Sequence, residues 1–206
     1  MELQIFDCEQ GSPEWYACRA GIPTASEFAT VLAKGKGGGE SVTRRKYLYQ
    51  LAGERITGQP MEGFNNAHME RGKVMEEEAR DLYQLVTGNE PVRVGFMRRG
   101  NAGCSPDSLV GPNGGLELKT KLPHLQIECL LNRRLPPEHV AQVQGQLWIS
   151  AREWIDFASY WPGLPLFVHR VYRDETYIAR LAVEVEAFNA ELEDVINQIR
   201  NYKAAA

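Results

Sequence analysis

Three residues in the stretch CSPDSLVGPNGGLELKTK, residues 104–121, carry groups that could act together: Asp107, Glu117 and Lys119. Side chains two apart on a strand share a face, so Glu117 and Lys119 point one way and Leu118 the other. Folding the stretch about Pro112, inside the turn GPNGG, sets position 107 opposite 117, and directly opposed residues hold their Cβ atoms ~4.5–5.5 Å apart. Two carboxylates that close repel unless a cation lies between them. Hard oxygen ligands of this kind suit Mg²⁺, with Mn²⁺ as a substitute. The competing reading is a solvated hairpin tip on which Lys119 neutralises Glu117. Pro-Asp followed at such a distance by acid-x-Lys arises by composition in about one chain in ten, so spacing alone leaves both readings open.

A hairpin of this kind needs a sheet and helices to hold it. In the N-terminal half, SPEWYACRAG reads as a short helix ending at Gly21, and TASEFATVLAK as a second opened by a capping box from Thr24 to Glu27. SVTRRKYLYQLAGERITG forms a third, stopping at Gly58, and AHMERGKVMEEEARDLYQLVTG a long fourth ending at Gly88. After Pro91 the pattern changes to strands: VRVGFM, the segment before Asp107, and GGLELKT beyond the Gly- and Pro-rich turn. PPEHVAQVQGQLWIS is a helix with Pro in its first turn. WIDFASYW and LFVHRVY are two further strands, and a final helix closes the chain. The expectation is an α/β (α+β) fold, a mixed central sheet flanked by helices, with GGLELKT at its centre.

The chain has 206 residues, 43% hydrophobic and 24% charged, which suits one domain over residues 1–206. No run approaches the roughly 18 apolar residues of a membrane span. The acidic start MELQIFDCEQ lacks the basic and apolar regions of a signal peptide, so a soluble, cytoplasmic protein is expected, with no membrane partner. Cys8, Cys18, Cys104 and Cys129 are scattered, without a zinc-finger spacing, and the four histidines are isolated. The net charge of −4 argues mildly against nucleic acid. Its distribution softens that: residues 181–206 hold five acids and two bases, while TRRK (43–46), MRRG (97–100) and NRR (132–134) are basic. These clusters would form a positive surface or three solvated faces.

Two helices carry further polar candidates. On the fourth, Met75, Ala79, Leu82, Tyr83 and Val86 define an apolar arc that puts Glu77 outward and leaves Glu76 and Glu78 flanking it. Periodicity does not choose between those two. On the helix after residue 136, Gln142 shares a polar arc with Glu138, His139 and Gln146. Gln144 falls among Val140, Leu147 and Ala151 and would need a buried partner.

S-P-D-x(9)-E-L-K resembles the PD-(D/E)XK nuclease motif, whose members share a restriction-endonuclease-like fold. EWYACRAGIPTASEF, RGKVMEEEARDLY, CSPDSL, GGLELK and HVAQVQGQLW resemble, in order and spacing over about residues 13–160, the phage lambda exonuclease family of viral recombination nucleases. The resemblance implies an exodeoxyribonuclease using two Mg²⁺ ions held by Asp107, Glu117, the Leu118 carbonyl and Glu76, with Lys119 near the nucleophile and Gln142 positioning water or substrate. It implies 5′-phosphate binding by Arg19, Ser26 and Ser105; a helix start beside Arg19 would itself favour an anion. Met69 would wedge between terminal bases, and Lys36 in the KGKGGG loop would touch the backbone. A toroidal homotrimer on linear double-stranded DNA, a single-strand annealing recombinase as partner, and a phage or prophage origin in a bacterial cell also follow from the resemblance. The other readings are a related endonuclease, which would nick closed circular DNA, and a non-catalytic DNA-binding protein, which would ignore Mg²⁺.

Overall fold

GGLELKT becomes the middle strand of the larger of two sheets. The computed structural model describes residues 2–61 and 67–202, the side chains of 67–73 excepted. In chain order the elements are β1 (Leu3–Phe6), α1 (Pro13–Arg19), α2 (Phe28–Val31), α3 (Val42–Thr57), α4 (Ala67–Thr87), β2 (Pro91–Val92), β3 (Phe96–Arg99), β4 (Ala102–Cys104), β5 (Ser108–Val110), β6 (Gly114–Thr120), α5 (Pro123–Asn132), α6 (Val140–Ser150), β7 (Trp154–Tyr160), β8 (Phe167–Tyr172) and α7 (Glu175–Arg200). The five-stranded sheet has the order β2-β5-β6-β7-β8, and β1-β3-β4 form a separate three-stranded sheet. Among the described strands only β6 and β7 pair in parallel. A parallel pair needs a long crossover, and α5 with α6 supplies it. The expected mixed sheet flanked by helices is therefore present, and the second small sheet is an addition to it.

Strand β6 is covered on both faces. Leu116 and Leu118 pack with Ala79 and Tyr83 of α4, and Val143 and Leu147 of α6 pack with Phe157 of the neighbouring β7. A strand so enclosed can hold a carboxylate only where partners are provided. The last helix repeats an apolar residue every three or four positions, burying Ile178, Leu181, Val185, Phe188, Leu192 and Ile196. Two glycines permit close contacts: a Cβ at Gly103 would lie 2.0 Å from the Phe96 ring, and one at Gly145 2.4 Å from Phe28.

The hairpin register is the one expected. Ser108 pairs with Leu116, Leu109 with Gly115 and Val110 with Gly114, so the next position outward sets 107 opposite 117. Helices α3 and α4 end at Gly58 and Gly88, both left-handed, as read from the sequence. Other expectations fail for identifiable reasons. TASEFATVLAK is a 3-10 turn, Ala25–Glu27, followed by only four helical residues. The capping box does not form, because Thr24 Oγ1 meets the Ser26 hydroxyl and Arg19 while Glu27 accepts from Thr30. Val86 leaves the apolar arc of α4 and is 64% exposed, the arc ending one turn earlier at Tyr83. β1 and α5 were not foreseen: β1 is a four-residue edge strand, and α5 leaves Leu125, Ile127 and Leu131 exposed, which breaks helical periodicity. The basic cluster TRRK is largely neutralised, with Arg44 held by Glu191 of α7 at 2.7 and 2.8 Å and Arg45 by Glu40.

Candidate active site

The hairpin sets Asp107 and Lys119 on the wall of a cleft of about 720 Å³, lined also by Glu76, Arg80, Gln10 and Trp15, with the buried Glu117 in contact with Lys119. Glu117 is 1% exposed. Its Oε1 accepts from Lys119 Nζ at 2.5 Å and from Gln142 Nε2 at 2.5 Å, and its Oε2 accepts from Gln146 Nε2 at 2.5 Å. Asp107 Oδ2 accepts from the Leu118 backbone N–H at 2.6 Å, which ties the two hairpin strands together at the acids. These contacts exclude the solvated tip: the hairpin turns its charges into the fold.

The electrostatics leave the acids short of positive charge. Burial, then the charges of Glu117 and Glu76, push the Asp107 carboxyl well above the usual range, while Lys119 and the Leu118 N–H pull it back in part. Burial lowers Lys119, but Glu117 and Asp107 more than reverse this, so the ammonium is held charged. Lys119 pairs with Glu117 among the described ion pairs and acts on Asp107 only through its charge, while Glu76 has Arg80 as its partner, so Asp107 is left without a cation in contact. A divalent cation fits that deficit, and the oxygen donors suit Mg²⁺ or Mn²⁺.

Glu76 enters the cleft differently from the other two acids. Its Oε1 accepts from Arg80 at 2.9 Å, and Arg80, 7% exposed, also reaches Glu77 and the Ser108 hydroxyl. Among the described residues no three acids, histidines or cysteines converge at metal-ligand spacing; Asp107 and Glu117 with Lys119, and Glu76 with the buried Arg80, form two neighbouring groups. Glu77 points outward as read from the sequence and pairs with Arg80 and Arg93.

Arg19, Ser26 and Ser105 are linked through intermediaries. The Arg19 guanidinium lies over the Trp15 ring at 3.8 Å, and Trp15 Nε1 donates to Ser105 Oγ at 2.9 Å. On its other side Arg19 reaches Thr24 Oγ1 at 3.5 Å, which meets Ser26 Oγ at 3.2 Å. No carboxylate pairs with Arg19 among the described ion pairs, although burial lowers its pKa. A half-buried guanidinium flanked by hydroxyls can take an anion. Lys36 is exposed on a 3-10 turn, Lys36–Gly38, and does not line the acidic cleft. The side chain of Met69 lies outside the described residues.

Sequence reasoning passed over three residues. Gln146 shares the polar arc of Gln142, one turn on, and that spacing was its signal. Arg80 follows Glu76 and Glu77 at helical pairing distance, and that spacing was its signal. Gln10, whose Nε2 donates to the carbonyls of Val94 and Pro106 at 2.8 and 2.9 Å, fastens the segment after β1 beside Asp107 and carried no signal. Gln144, itself buried, has backbone partners, donating to the Tyr172 carbonyl and accepting from the Asp174 N–H.

A mixed sheet carrying two acids and a lysine on its central hairpin, with helical glutamines reaching across, defines a restriction-endonuclease-like domain. The chain belongs to the YqaJ-like viral recombinase family, whose domain matches residues 14–153. It is 36% identical to an alkaline exonuclease from Laribacter hongkongensis, with a TM-score of 0.83 over 92% of this chain and 96% of that one. A crystal structure of that exonuclease in complex with dAMP matches equally well. A phage-related exonuclease from Haemophilus somnus 129PT, at 14% identity, shares the fold with a TM-score of 0.65 over 86% of this chain and 96% of that one. No curated protein matches the chain significantly. The resemblance to the lambda exonuclease family read from the sequence is borne out. No described helix is long and apolar enough to cross a membrane.

Proposed function

We propose that this chain is a Mg²⁺-dependent exonuclease that degrades one strand of linear double-stranded DNA from 5′-phosphorylated ends, in the 5′ to 3′ direction. The observation that carries this reading is the convergence of Asp107, Glu117 and Lys119 on the β5–β6 hairpin, with Gln142 bonded to Glu117. Its products would be 5′-mononucleotides and a 3′ single-stranded overhang. The exonuclease activity of the Laribacter relative, and its binding of dAMP, support the substrate class.

Asp107, Glu117, the Leu118 carbonyl and Glu76 would hold the divalent cations. When bound there, such ions activate water and stabilise charge on the leaving 3′-oxygen. The protein's own groups do the rest. Lys119, charged at neutral pH, offsets negative charge on the scissile phosphate. Gln142, half-exposed at the start of α6, exchanges its bond to Glu117 for the attacking water or the substrate. Arg80 keeps Glu76 turned toward the cleft. Arg19, Ser26 and Ser105 hold the terminal 5′-phosphate, which restricts cutting to ends.

The same reading includes one domain over residues 1–206, a homotrimer encircling DNA, a single-strand annealing recombinase as partner, and a cytoplasmic site of action in a bacterial cell from a phage or prophage gene. Lys119→Ala tests it. The variant should fold and lose at least about 100-fold in nucleotide release, and full activity in a folded Lys119→Ala would refute the assignment.

A further inference from the structure

Glu117 is gripped from one helix face by two glutamines a turn apart, since residues four apart on a helix lie over one another. The two amides are not equivalent. Gln142 is half-exposed and reaches Oε1, which Lys119 also occupies, whereas Gln146 is 1% exposed and is the described donor to Oε2. Each carboxylate oxygen offers two lone pairs. Oε1 therefore has both engaged, and Oε2 keeps one for another partner.

The Gln146 side chain pays for this arrangement at its other end. Its Oε1 is buried with no hydrogen-bond partner among the described residues. Rotating the amide would place that oxygen against the carboxylate, so Glu117 dictates the orientation. An amide with one end unsatisfied adds little to folding that an apolar side chain of the same length would not. Its geometry serves the carboxylate.

We propose that Gln146 is the positioning residue of Glu117. It holds Oε2, and with it the plane of the carboxylate, when Gln142 turns from Oε1 to water or substrate, and it leaves the second lone pair of Oε2 to a divalent cation. This rests on the reading of Glu117 as a cation ligand. It goes beyond that reading by assigning the two glutamines different duties, Gln146 to the ligand and Gln142 to the reaction.

The test is equilibrium Mn²⁺ binding to the full chain without DNA, followed by loss of the free-ion electron paramagnetic resonance signal. Wild type, Gln146→Leu, Gln146→Met and Gln142→Leu are compared, each with a thermal unfolding curve in EDTA. The Gln146 variants should bind Mn²⁺ about 10- to 100-fold more weakly, and Gln142→Leu within about threefold of wild type. Raised Mg²⁺ should restore nucleotide release to the Gln146 variants and not to Gln142→Leu, a rescue that a purely structural defect would not show. Wild-type affinity in a folded Gln146 variant overturns the positioning role and leaves the nuclease reading standing. Wild-type protein that binds no Mn²⁺ overturns both. Should Gln146→Leu fail to fold, the unbranched Gln146→Met carries the comparison.

Discussion

Replacing Arg19 by Gln isolates the end anchor from the chemistry. Arg19 lies over Trp15 at 3.8 Å and touches Thr24 at 3.5 Å, with no described carboxylate partner, so its removal strands no buried acid. The fold loses one cation–π contact, about 0.5–1 kcal/mol. A hydrogen bond to a charged group contributes about 1.5–3 kcal/mol, which at 1.4 kcal/mol per factor of ten is roughly 10- to 150-fold. The quantity to measure is the ratio of initial rates on duplexes with 5′-phosphate and 5′-hydroxyl ends, read as acid-soluble nucleotide. Arg19→Gln should collapse the wild-type preference by that factor while rates on 5′-hydroxyl ends stay near wild type. A preserved ratio in the variant would refute the anchor, because the guanidinium would then not distinguish the two ends.

Three stability predictions come from elsewhere in the fold. Burial, then the charges of Lys121 and Lys119, lower His139 to about 4 from an ordinary 6.5. The native state therefore keeps a neutral imidazole where the unfolded chain takes up a proton. Its contribution is complete above about pH 6.5 and drains away as pH falls toward 4, on the order of 2–3 kcal/mol by pH 4.5. Urea midpoints at pH 7.5 and 4.5 should therefore differ less in His139→Gln than in wild type, and an unchanged pH dependence would contradict this. Gly103→Ala drives a methyl to 2.0 Å from the fully buried Phe96 ring, an overpacking cost of about 3 kcal/mol and a Tm drop of roughly 6–12 °C for a chain this size. Gly53→Ala, in the interior of α3 with open space around the new methyl, should instead raise stability by about 0.5–1 kcal/mol.

The hairpin was legible because strand geometry leaves few choices. A period of two fixes Glu117 and Lys119 on one face, and a turn centred on Pro112 fixes 107 against 117, the register the pairs Ser108–Leu116 through Val110–Gly114 extend to. The partners of Glu117 were only half legible. Helical spacing put Gln142 and Gln146 on one face, but only the packing of α6 beside β6 shows that both amides end on the same carboxylate. Glu76 could not be separated from Glu78 by periodicity, and what distinguishes it is Arg80, a cation drawn inward by Ser108 on another element. Thr24 and Glu27 show the reverse case. Their spacing satisfies a local capping rule, yet contacts to Arg19, Ser26 and Thr30 claim both side chains. Local rules carried the strands and long helices, while long-range polar contacts set the turns and the detail of the site.

The most direct test of the central claim is nucleotide release from linear duplex DNA labelled on one strand at its 5′ or 3′ end, in Mg²⁺ and in EDTA, beside closed circular DNA. The account predicts Mg²⁺-dependent release in which the 5′ label appears first and the 3′ label last, with circles left intact. Nicked circles, early release of the 3′ label, or equal release in EDTA would contradict it.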